Sequence, residues 1–485
     1  ITFAMLILSA CSDFLEKPLQ GELTQASFPA SAEDALLATN AVYNTLRVNT
    51  YNQGLFPILD IMSDDGSKGS NPDDAASTVG PYETFSHIPT EGNISRWWST
   101  LYEGVKRANV VIEKVPLIAM DETLKNRYIG EAKFLRALFY FDLVRAWGGV
   151  PIVTTTTPSR DLERSTAGEV YDLIEADLLD AIEGLPERSD QSAQDLGRAT
   201  KGSARGILAK VYLFQNDFPN AEKYAMDVIN SGQYSLEPDF EMANSEDGRH
   251  GAESVFEIGA LPFENLQSGG NQYANVQGVR GTPNRGWGFN RPTLDLQNSF
   301  EPGDPRLQAT VIYLGEVLDG VTIAGDGQTP DETTDSNGNV IEIECYNQKV
   351  WTPGNNVPTQ FNHNRRILRY ADVLLVAAES LNQNNKPSEA LTYLNMVRAR
   401  AREGGVVLPD ITTTEKAALD DLIFTERRHE LAMEGHRFWD LVRTARAADI
   451  LGPLGFIAGK HELLPIPQSE VDLSQGRIEQ NPQWD

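Results

Sequence analysis

One stretch near the C-terminus has residue types that could hold a metal ion. HELAMEGH begins like the H-E-x-x-H helix of zinc proteases, but the second histidine would stand at position 433, where the chain has Met433. Glu426 and His429 form one E-x-x-H pair, whereas a carboxylate di-iron site needs two such helices. The stretch therefore favours a structural role, in which five of its charged residues pair with neighbouring helices: Glu426, Arg427, Glu430, Glu434 and Arg437.

The remaining sequence contains no catalytic signature. It has no G-x-S-x-G, no Walker-type or dinucleotide glycine loop and no C-x-x-C, and its six histidines are dispersed. Pairs of Asp and Glu are too frequent for any one pair to indicate glycoside hydrolysis. We expect neither an enzyme activity nor a cofactor or metal.

A cysteine near the N-terminus indicates a lipid anchor. The apolar run Ile1 to Ala10 is about half the length of a membrane span, and it ends in Leu-Ser-Ala-Cys. This resembles the end of a signal peptide followed by a bacterial lipobox, in which the cysteine receives lipid after cleavage. We expect residues 1–10 to be a signal-peptide remnant and Cys11 the lipid attachment site. Cys345 would then have no disulfide partner.

The composition indicates a large, acidic globular body. Hydrophobic residues make up 40% and charged residues 23% of the chain, which are ordinary globular values. Acidic residues outnumber basic ones by 69 to 41, giving a formal charge of −28. Such a surface repels nucleic acid and anionic lipid, which excludes both as expected partners.

Apolar residues at steps of three and four predict a mainly helical fold. In the segment from Tyr128 to Trp147 they form one apolar stripe, and Gly148 ends the helix. Alternation at the period of a strand is rare and short. The other predicted helices are Ala32 to Leu46, Trp97 to Val115, Ala167 to Leu185, Lys201 to Phe214, Pro219 to Ser231, Tyr370 to Asn382, Pro387 to Arg402 and Thr414 to Ala447.

Two helical hairpins repeat the same small and apolar positions. The first set is Ala209, Tyr212, Ala221, Ala225 and Val228. The second set, Ala378, Leu381, Ala390, Leu394 and Val397, is offset from it by a constant 169 residues. The spacing matches tetratricopeptide repeats, in which small residues let paired helices approach closely. We expect tetratricopeptide-like hairpins in which Ala209 and Ala378 are buried.

The region between about 233 and 366 differs from the rest. Helical periodicity gives way to Gly, Pro, Asn and scattered aromatics, and no Lys or Arg occurs from Glu316 to Glu344. DSNGNVIEIE predicts a hairpin turning at Asn337 and Gly338. A calcium-binding loop within residues 316–344 is the alternative, although Gly338 directly follows Asn337 and does not complete the spacing of a known acidic loop. We therefore predict a helical part at 11–232, an irregular ligand-facing part with short strands at 233–366, and a C-terminal helical part at 367–485 that packs on the first in one compact body.

Several segments resemble one family along essentially the whole chain. They are CSDFLEKP, RWWSTLYEGVKRANVVIEKV, EAKFLRALFYFDLVRAWGGVPIV, GDPRL, RYADVLLVAAES, LNMVRARA, ERRHELAMEGHRFWDLVR and LLPIPQSEVDLSQGRIEQNPQW. Together they resemble the SusD/RagB surface lipoproteins of Bacteroidetes. One departure is NPQW, where the family more often has NP followed by Gly and an aromatic.

The resemblance implies a nutrient-binding subunit on the outer face of the outer membrane, held there by a lipid anchor. Its relatives are helical, dock as a hinged lid on a TonB-dependent transporter of the SusC type, and are not enzymes. They commonly capture oligosaccharides, though some take peptides. We expect the same function here.

A glycan ligand requires an exposed aromatic plane beside polar groups that orient the sugar hydroxyls. Two stretches outside the helical repeats have this mixture: PYETFSHIPTEGNISRWW and NRGWGFNRP. Trp287 is the best candidate because it lies between two glycines, whereas Trp98 should pack inward, four residues before Tyr102 on a helix. The predicted ligand-binding residues are Tyr82, Asn93, Trp97, Trp287, Asn290 and Arg291.

Two other functions remain open from the sequence. A helical-repeat scaffold could bind another protein through its concave surface without any small ligand. A secreted glycosidase could use carboxylates that form no recognisable motif. The loop aromatics do not separate these alternatives, because a loop tryptophan can also fill the core. Neither the sequence nor the resemblance names the nutrient.

Overall fold

The computed structural model describes residues 28–159, 161–260, 272–354, 363–402 and 404–484. Cys11 and the predicted signal-peptide remnant, residues 1–10, lie outside these ranges. No helix in the described ranges is long and apolar enough to cross a membrane. The α-helices of the described chain are α1 (Ala32–Arg47), α2 (Asn49–Phe56), α3 (Gly80–Glu83), α4 (Gly92–Lys114), α5 (Glu122–Trp147), α6 (Ala167–Gly184), α7 (Lys201–Phe214), α8 (Phe218–Asn230), α9 (Tyr273–Gln277), α10 (Leu294–Ser299), α11 (Arg306–Thr310), α12 (Tyr370–Gln383), α13 (Pro387–Ala401), α14 (Lys416–Leu431), α15 (Arg437–Arg443), α16 (Ala447–Leu451) and α17 (Gln468–Leu473).

The strands are short and form five two-stranded antiparallel sheets within the described residues. The pairs are β1 with β3, β2 with β10, β4 with β9, β5 with β6 and β7 with β8. Their bounds are β1 (Gly66–Gly69), β2 (Ser254–Ile258), β3 (Phe289–Pro292), β4 (Val311–Tyr313), β5 (Val317–Leu318), β6 (Val321–Thr322), β7 (Glu332–Thr334), β8 (Val340–Ile343), β9 (Cys345–Asn347) and β10 (Arg365–Arg369).

The two predicted hairpins are confirmed as α7 with α8 and α12 with α13. Ala209 and Ala378 are buried, as are the other eight positions of the two repeats. α12 also packs against α8, so the two hairpins stack across the 169 residues that separate them. Small residues at the crossings let the helices approach, which is how tetratricopeptide-like packing works.

Helix α5 is buried on more than the single stripe that its sequence predicts. The core side chains include Phe134, Tyr140 and Phe141, which lie off that stripe. Its buried charges are paired: Arg136 Nε lies 2.7 Å from an Asp177 carboxylate oxygen on α6. Helices surround α5, namely α4, α6, α7 and α1, so a helix at the centre of the bundle must be apolar on several sides.

The prediction of one helix from Thr414 to Ala447 is wrong, because the structure has three. The chain leaves α14 at Ala432, and Met433 and Gly435 both adopt positive φ, at 60° and 82°. The Gly435 N–H donates to Asp60 Oδ1 at 3.0 Å. In a continuous helix this N–H would instead donate to a backbone carbonyl of the preceding turn. The break also directs Glu434 toward Arg369, with 2.7 Å between Glu434 Oε2 and Arg369 Nε.

The predicted turn at Asn337 and Gly338 is confirmed. It joins β7 to β8, and Gly338 has φ of 83°, which a residue without Cβ adopts at little cost. The Asp335 carboxylate accepts from the backbone N–H groups of Asn337 and Asn339 at 2.8 and 2.9 Å. This carboxylate therefore closes the turn.

Candidate functional site

The β1–β3 ladder brings the second predicted binding stretch, which contains β3, close to the start of the first, which lies in α3. Ser67 pairs with Arg291 and Gly69 with Phe289, although more than two hundred residues separate the strands. α3 lies against β1, and the Lys68 backbone N–H donates to Glu83 Oε2 at 3.3 Å. We call the side chains gathered around this ladder the ladder site: Lys68, Asp74, Glu83, Arg280, Trp287, Phe289, Arg291, Asp326 and Glu342.

Trp287 is the one predicted aromatic that the structure leaves partly exposed. Its ring packs against the edge of the main core, and its backbone N–H donates to the Asn275 carbonyl at 2.7 Å. The glycines beside Trp287 are required by the fold. A Cβ on Gly286 would lie 2.6 Å from the Asn275 carbonyl oxygen, which is too close for any side chain. Gly288 has φ of 74°. The backbone at Trp287 is thus engaged with its own fold, and its side chain packs on the core while remaining partly exposed.

Asn290 and Arg291 are buried beneath the ladder. Asn290 Nδ2 donates to Asp60 Oδ2 and to Gln277 Oε1, each at 2.9 Å. Arg291 Nη1 lies 3.0 Å from Glu342 Oε1 on the β7–β8 hairpin. Burial raises the pKa of Asp60 to about 7, against the opposing effect of the Asn290 hydrogen bond. These residues hold the ladder and its neighbours together and present little surface of their own.

Tyr82, Asn93 and Trp97 are also buried. The Tyr82 ring stacks on His87 with 5.0 Å between centroids, and Asn93 Nδ2 donates to the Thr78 carbonyl at 3.0 Å. Trp97 lies in the core, 5.1 Å from the ring of Trp147. None of the three offers an exposed surface, so Trp287 carries the binding prediction. The inward packing of Trp98 against Tyr102 is confirmed, with 5.1 Å between ring centroids.

Sequence reasoning missed two partly exposed residues of the β1–β3 ladder, Lys68 and Phe289. Lys68 Nζ donates to the carbonyl oxygens of Gly69, Asn71 and Asp74, at 2.8, 3.0 and 3.0 Å, and lies 5.9 Å from the centroid of the Phe289 ring. Burial lowers the pKa of Lys68, and the neighbouring Glu83 opposes this shift. No local signal marks Lys68 or Phe289, because their neighbours are distant in sequence.

Arg280 joins two loops at the edge of the ladder site. Its Nε lies 2.6 Å from Asp326 Oδ2, and its Nη1 contacts Asp74 and the Ser70 hydroxyl. Burial raises the pKa of Asp326, but the backbone N–H groups of Thr329 and Gln328, together with Arg280, outweigh it and lower the pKa to about 2. Asp326 is therefore ionised whenever a ligand meets it at neutral pH.

The E-x-x-H pair has a structural role. Glu426 accepts from Arg306 Nη1 at 2.5 Å and from Arg398 Nη1 at 2.8 Å. His429 stacks on Phe300 at 4.8 Å, and burial lowers its pKa to about 4. The predicted pairing of Glu426, Arg427, Glu430, Glu434 and Arg437 with charges on neighbouring elements is confirmed. Across the described ranges, no group of three or more His, Cys, Asp and Glu side chains is arranged to hold a metal ion.

Two family models match this chain. The SusD family model matches residues 252–453, and a model described as starch-binding, associating with outer membrane, matches residues 60–213. The SusD-like protein P2 of Formosa agariphila is 30% identical over 99% of both chains. A SusD-like protein of Bacteroides ovatus is 28% identical over 91% of this chain and 81% of its own.

Solved structures with the same fold include two glucan-binding proteins. A laminarin-binding SusD-like protein superposes with a TM-score of 0.79, at 29% identity, over 94% of this chain and all of the other. The surface glycan-binding protein A of Bacteroides thetaiotaomicron, solved with laminarihexaose, gives 0.79 at 27% identity, over 93% of this chain and all of the other. These relatives are binding proteins, in agreement with the expectation that the chain is not an enzyme.

Proposed function

The chain belongs to the SusD family, and from that membership we propose that it is a surface lipoprotein that captures an oligosaccharide at the ladder site and passes it to a TonB-dependent transporter. Capture would occur on the outer face of the outer membrane. Cys11, at the end of Leu-Ser-Ala-Cys, would carry the lipid.

One observation carries the choice of the ladder site. The site joins the two matched segments, because β1 lies in residues 60–213 and β3 in residues 252–453, and Trp287 stands partly exposed where they meet. An indole ring offers a plane for the apolar C–H face of a sugar. The carboxylates of the ladder site can accept hydrogen bonds from the hydroxyl groups of a sugar. This combination of one aromatic plane and several acceptors is typical of sugar recognition.

The relatives support an oligosaccharide as the ligand. Laminarin and laminarihexaose are bound by proteins whose structures cover this chain almost end to end. We take laminarihexaose as the first probe, and starch because one matched family model carries its name. Delivery to a transporter of the SusC type follows from family membership alone.

Replacing one tryptophan tests the assignment. We expect Trp287→Ala to weaken the binding of laminarihexaose or a starch oligosaccharide at least tenfold, about 1.4 kcal/mol, with little change in melting temperature. Isothermal titration calorimetry and circular dichroism measure the two quantities. Trp351→Ala is the matched control, because Trp351 is also partly buried and lies outside the ladder site.

The control should bind like the unmodified protein. If Trp287→Ala binds normally and loses stability, Trp287 is a core residue and the ladder site is wrongly assigned. If neither probe binds the unmodified protein, a wider panel of glycans decides whether the chain binds glycans at all.

A further inference from the structure

The charged groups of the ladder site form ion pairs and hydrogen bonds within the protein itself. Arg280 contacts the carboxylates of Asp74 and Asp326, and Arg291 pairs with Glu342. Lys68 uses its three N–H donors on three backbone carbonyls. Each cation of the site therefore has its donors or its charge occupied before a ligand arrives.

The remaining charge of the site is negative. Three cations, Lys68, Arg280 and Arg291, face four carboxylates: Asp74, Glu83, Asp326 and Glu342. The segment from Glu316 to Glu344 adds further acids and no Lys or Arg, and the whole chain carries a formal charge of −28. The field at the ladder site thus repels anions at contact distance and at longer range.

Proteins that bind carboxylated or sulfated ligands usually present arginines that are free to make bidentate hydrogen bonds. In the ladder site, a ligand anion would have to displace Asp74, Asp326 or Glu342 from its arginine. An uncharged sugar requires no such exchange, because its hydroxyls donate to the carboxylates and its C–H face packs on Trp287.

We propose that the ligand of the ladder site is a neutral oligosaccharide, and that uronic-acid and sulfated glycans are excluded because both arginines are already paired with carboxylates and the carboxylates outnumber the cations. This inference rests on the proposed glycan-binding function. It narrows the ligand from any glycan to those without acidic groups. The relevant glycans are neutral glucans, mannans and xylans, as opposed to alginate, polygalacturonate and sulfated galactans.

Affinity electrophoresis of the full chain through gels that contain each polymer tests the inference. We use laminarin, starch, mannan and xylan as neutral probes, and alginate, polygalacturonate and a sulfated galactan as acidic ones. Each gel is run at low and at high salt, with EDTA and with added calcium, so that a bridging cation is detected. We expect retention by at least one neutral polymer and by none of the acidic ones under any condition.

Two outcomes would contradict the inference, and the experiment distinguishes them. Stronger retention by an acidic polymer than by every neutral one would overturn the inference and leave glycan binding intact. Retention by no polymer would contradict glycan capture itself, and the inference with it.

A charge variant tests the cause. Asp74→Asn combined with Asp326→Asn leaves Arg280 without a carboxylate partner, so we expect affinity for alginate to rise at least tenfold, and more at low salt than at high salt. Asp190→Asn, at an exposed position far from the ladder in sequence, is the control and should change nothing. Circular dichroism checks that the double variant is folded. If the double variant is folded and still does not bind alginate, the pairing of Arg280 with carboxylates is not the cause of the selectivity for neutral glycans.

Discussion

Individual charged residues hold the loop-rich part to the C-terminal helices. Glu434 accepts from Arg369 Nε at 2.7 Å and from Lys349 Nζ at 2.7 Å, and all three side chains are buried. Arg369 also contacts Glu253 and Glu430, which tie it to Arg400. Burial opposes ionisation of Glu434, but Arg369 and Lys349 outweigh it and hold its pKa well below the usual range.

We expect Glu434→Gln to cost about 3–5 kcal/mol of unfolding free energy, because it leaves the buried Lys349 without its carboxylate partner and removes one of the three carboxylates that Arg369 contacts. Urea denaturation measures the loss. Glu332→Gln, on the exposed strand β7, is the control and should stay within about 0.5 kcal/mol of the parent protein. A loss below about 1 kcal/mol for Glu434→Gln would mean that the remaining carboxylates compensate for it.

Glu257 gives the protein an acid-sensitive contact. Burial raises its pKa, but the His250 hydrogen bond and the Arg366 charge outweigh this and lower it to about 2. A carboxyl whose folded pKa lies below its unfolded value of about 4.3 stabilises the fold above that value. This contribution, roughly 3 kcal/mol in full, is lost as the pH falls through the folded pKa.

We therefore expect Glu257→Gln to lower the melting temperature most at neutral pH, with the variant and parent curves converging as the pH falls to about 2, the folded pKa of Glu257. Melting followed by circular dichroism across this range measures the difference. Glu332→Gln should run parallel to the parent at every pH. Parallel curves for Glu257→Gln would contradict the lowered pKa.

At the scale of helices, the two stacked hairpins depend on small residues at their crossings. Ala209 and Ala378 are buried, and in both cases a larger side chain has no free space without movement of the neighbouring helix. We expect Ala209→Leu and Ala378→Leu each to cost roughly 1–3 kcal/mol by overpacking. Denaturant titration measures this. Ala448→Leu, at an exposed helical position, should cost almost nothing, and equal losses at all three positions would mean that the crossings are not the cause.

The helices could be predicted from the sequence because their signals are local. α6 and α7 begin at the predicted residues, after Thr166 and Thr200, whose side chains cap the first turns. The break at Met433 was missed because its cause, the Asp60 acceptor for Gly435, lies more than three hundred residues away. The ladder site was found only in part for the same reason. Trp287 stands out between glycines, whereas Lys68 and Arg280 acquire their surroundings only from the tertiary fold.

On the scale of the whole molecule, the hairpin stack is joined to the loop-rich part of the chain. α12 packs on α8, β10 leads directly into α12, and β10 pairs with β2 in the loop-rich part. The division of the chain into three parts at residues 232 and 366 remains a prediction. The charge network around Arg369 and the packing contacts above join these parts to one another. Parts that pack on one another can move together, which suits the proposed role as a lid on a transporter.

In the proposed function, the lipid on Cys11 holds the protein at the membrane. In this role Cys11 serves only to carry the lipid, so we expect Cys11→Ala to leave the fold and its melting temperature unchanged. Buried acyl chains contribute about 0.8 kcal/mol per methylene, so their loss should release the protein from the membrane. We expect Cys11→Ala, expressed with a complete secretion signal, to lose fatty-acid labelling and leave the membrane fraction. Ser12→Ala keeps the cysteine and should remain bound. Full membrane retention of Cys11→Ala would contradict the lipid tether. The measurement is repeated in cells that lack the transporter, because retention caused only by binding to the transporter would disappear there.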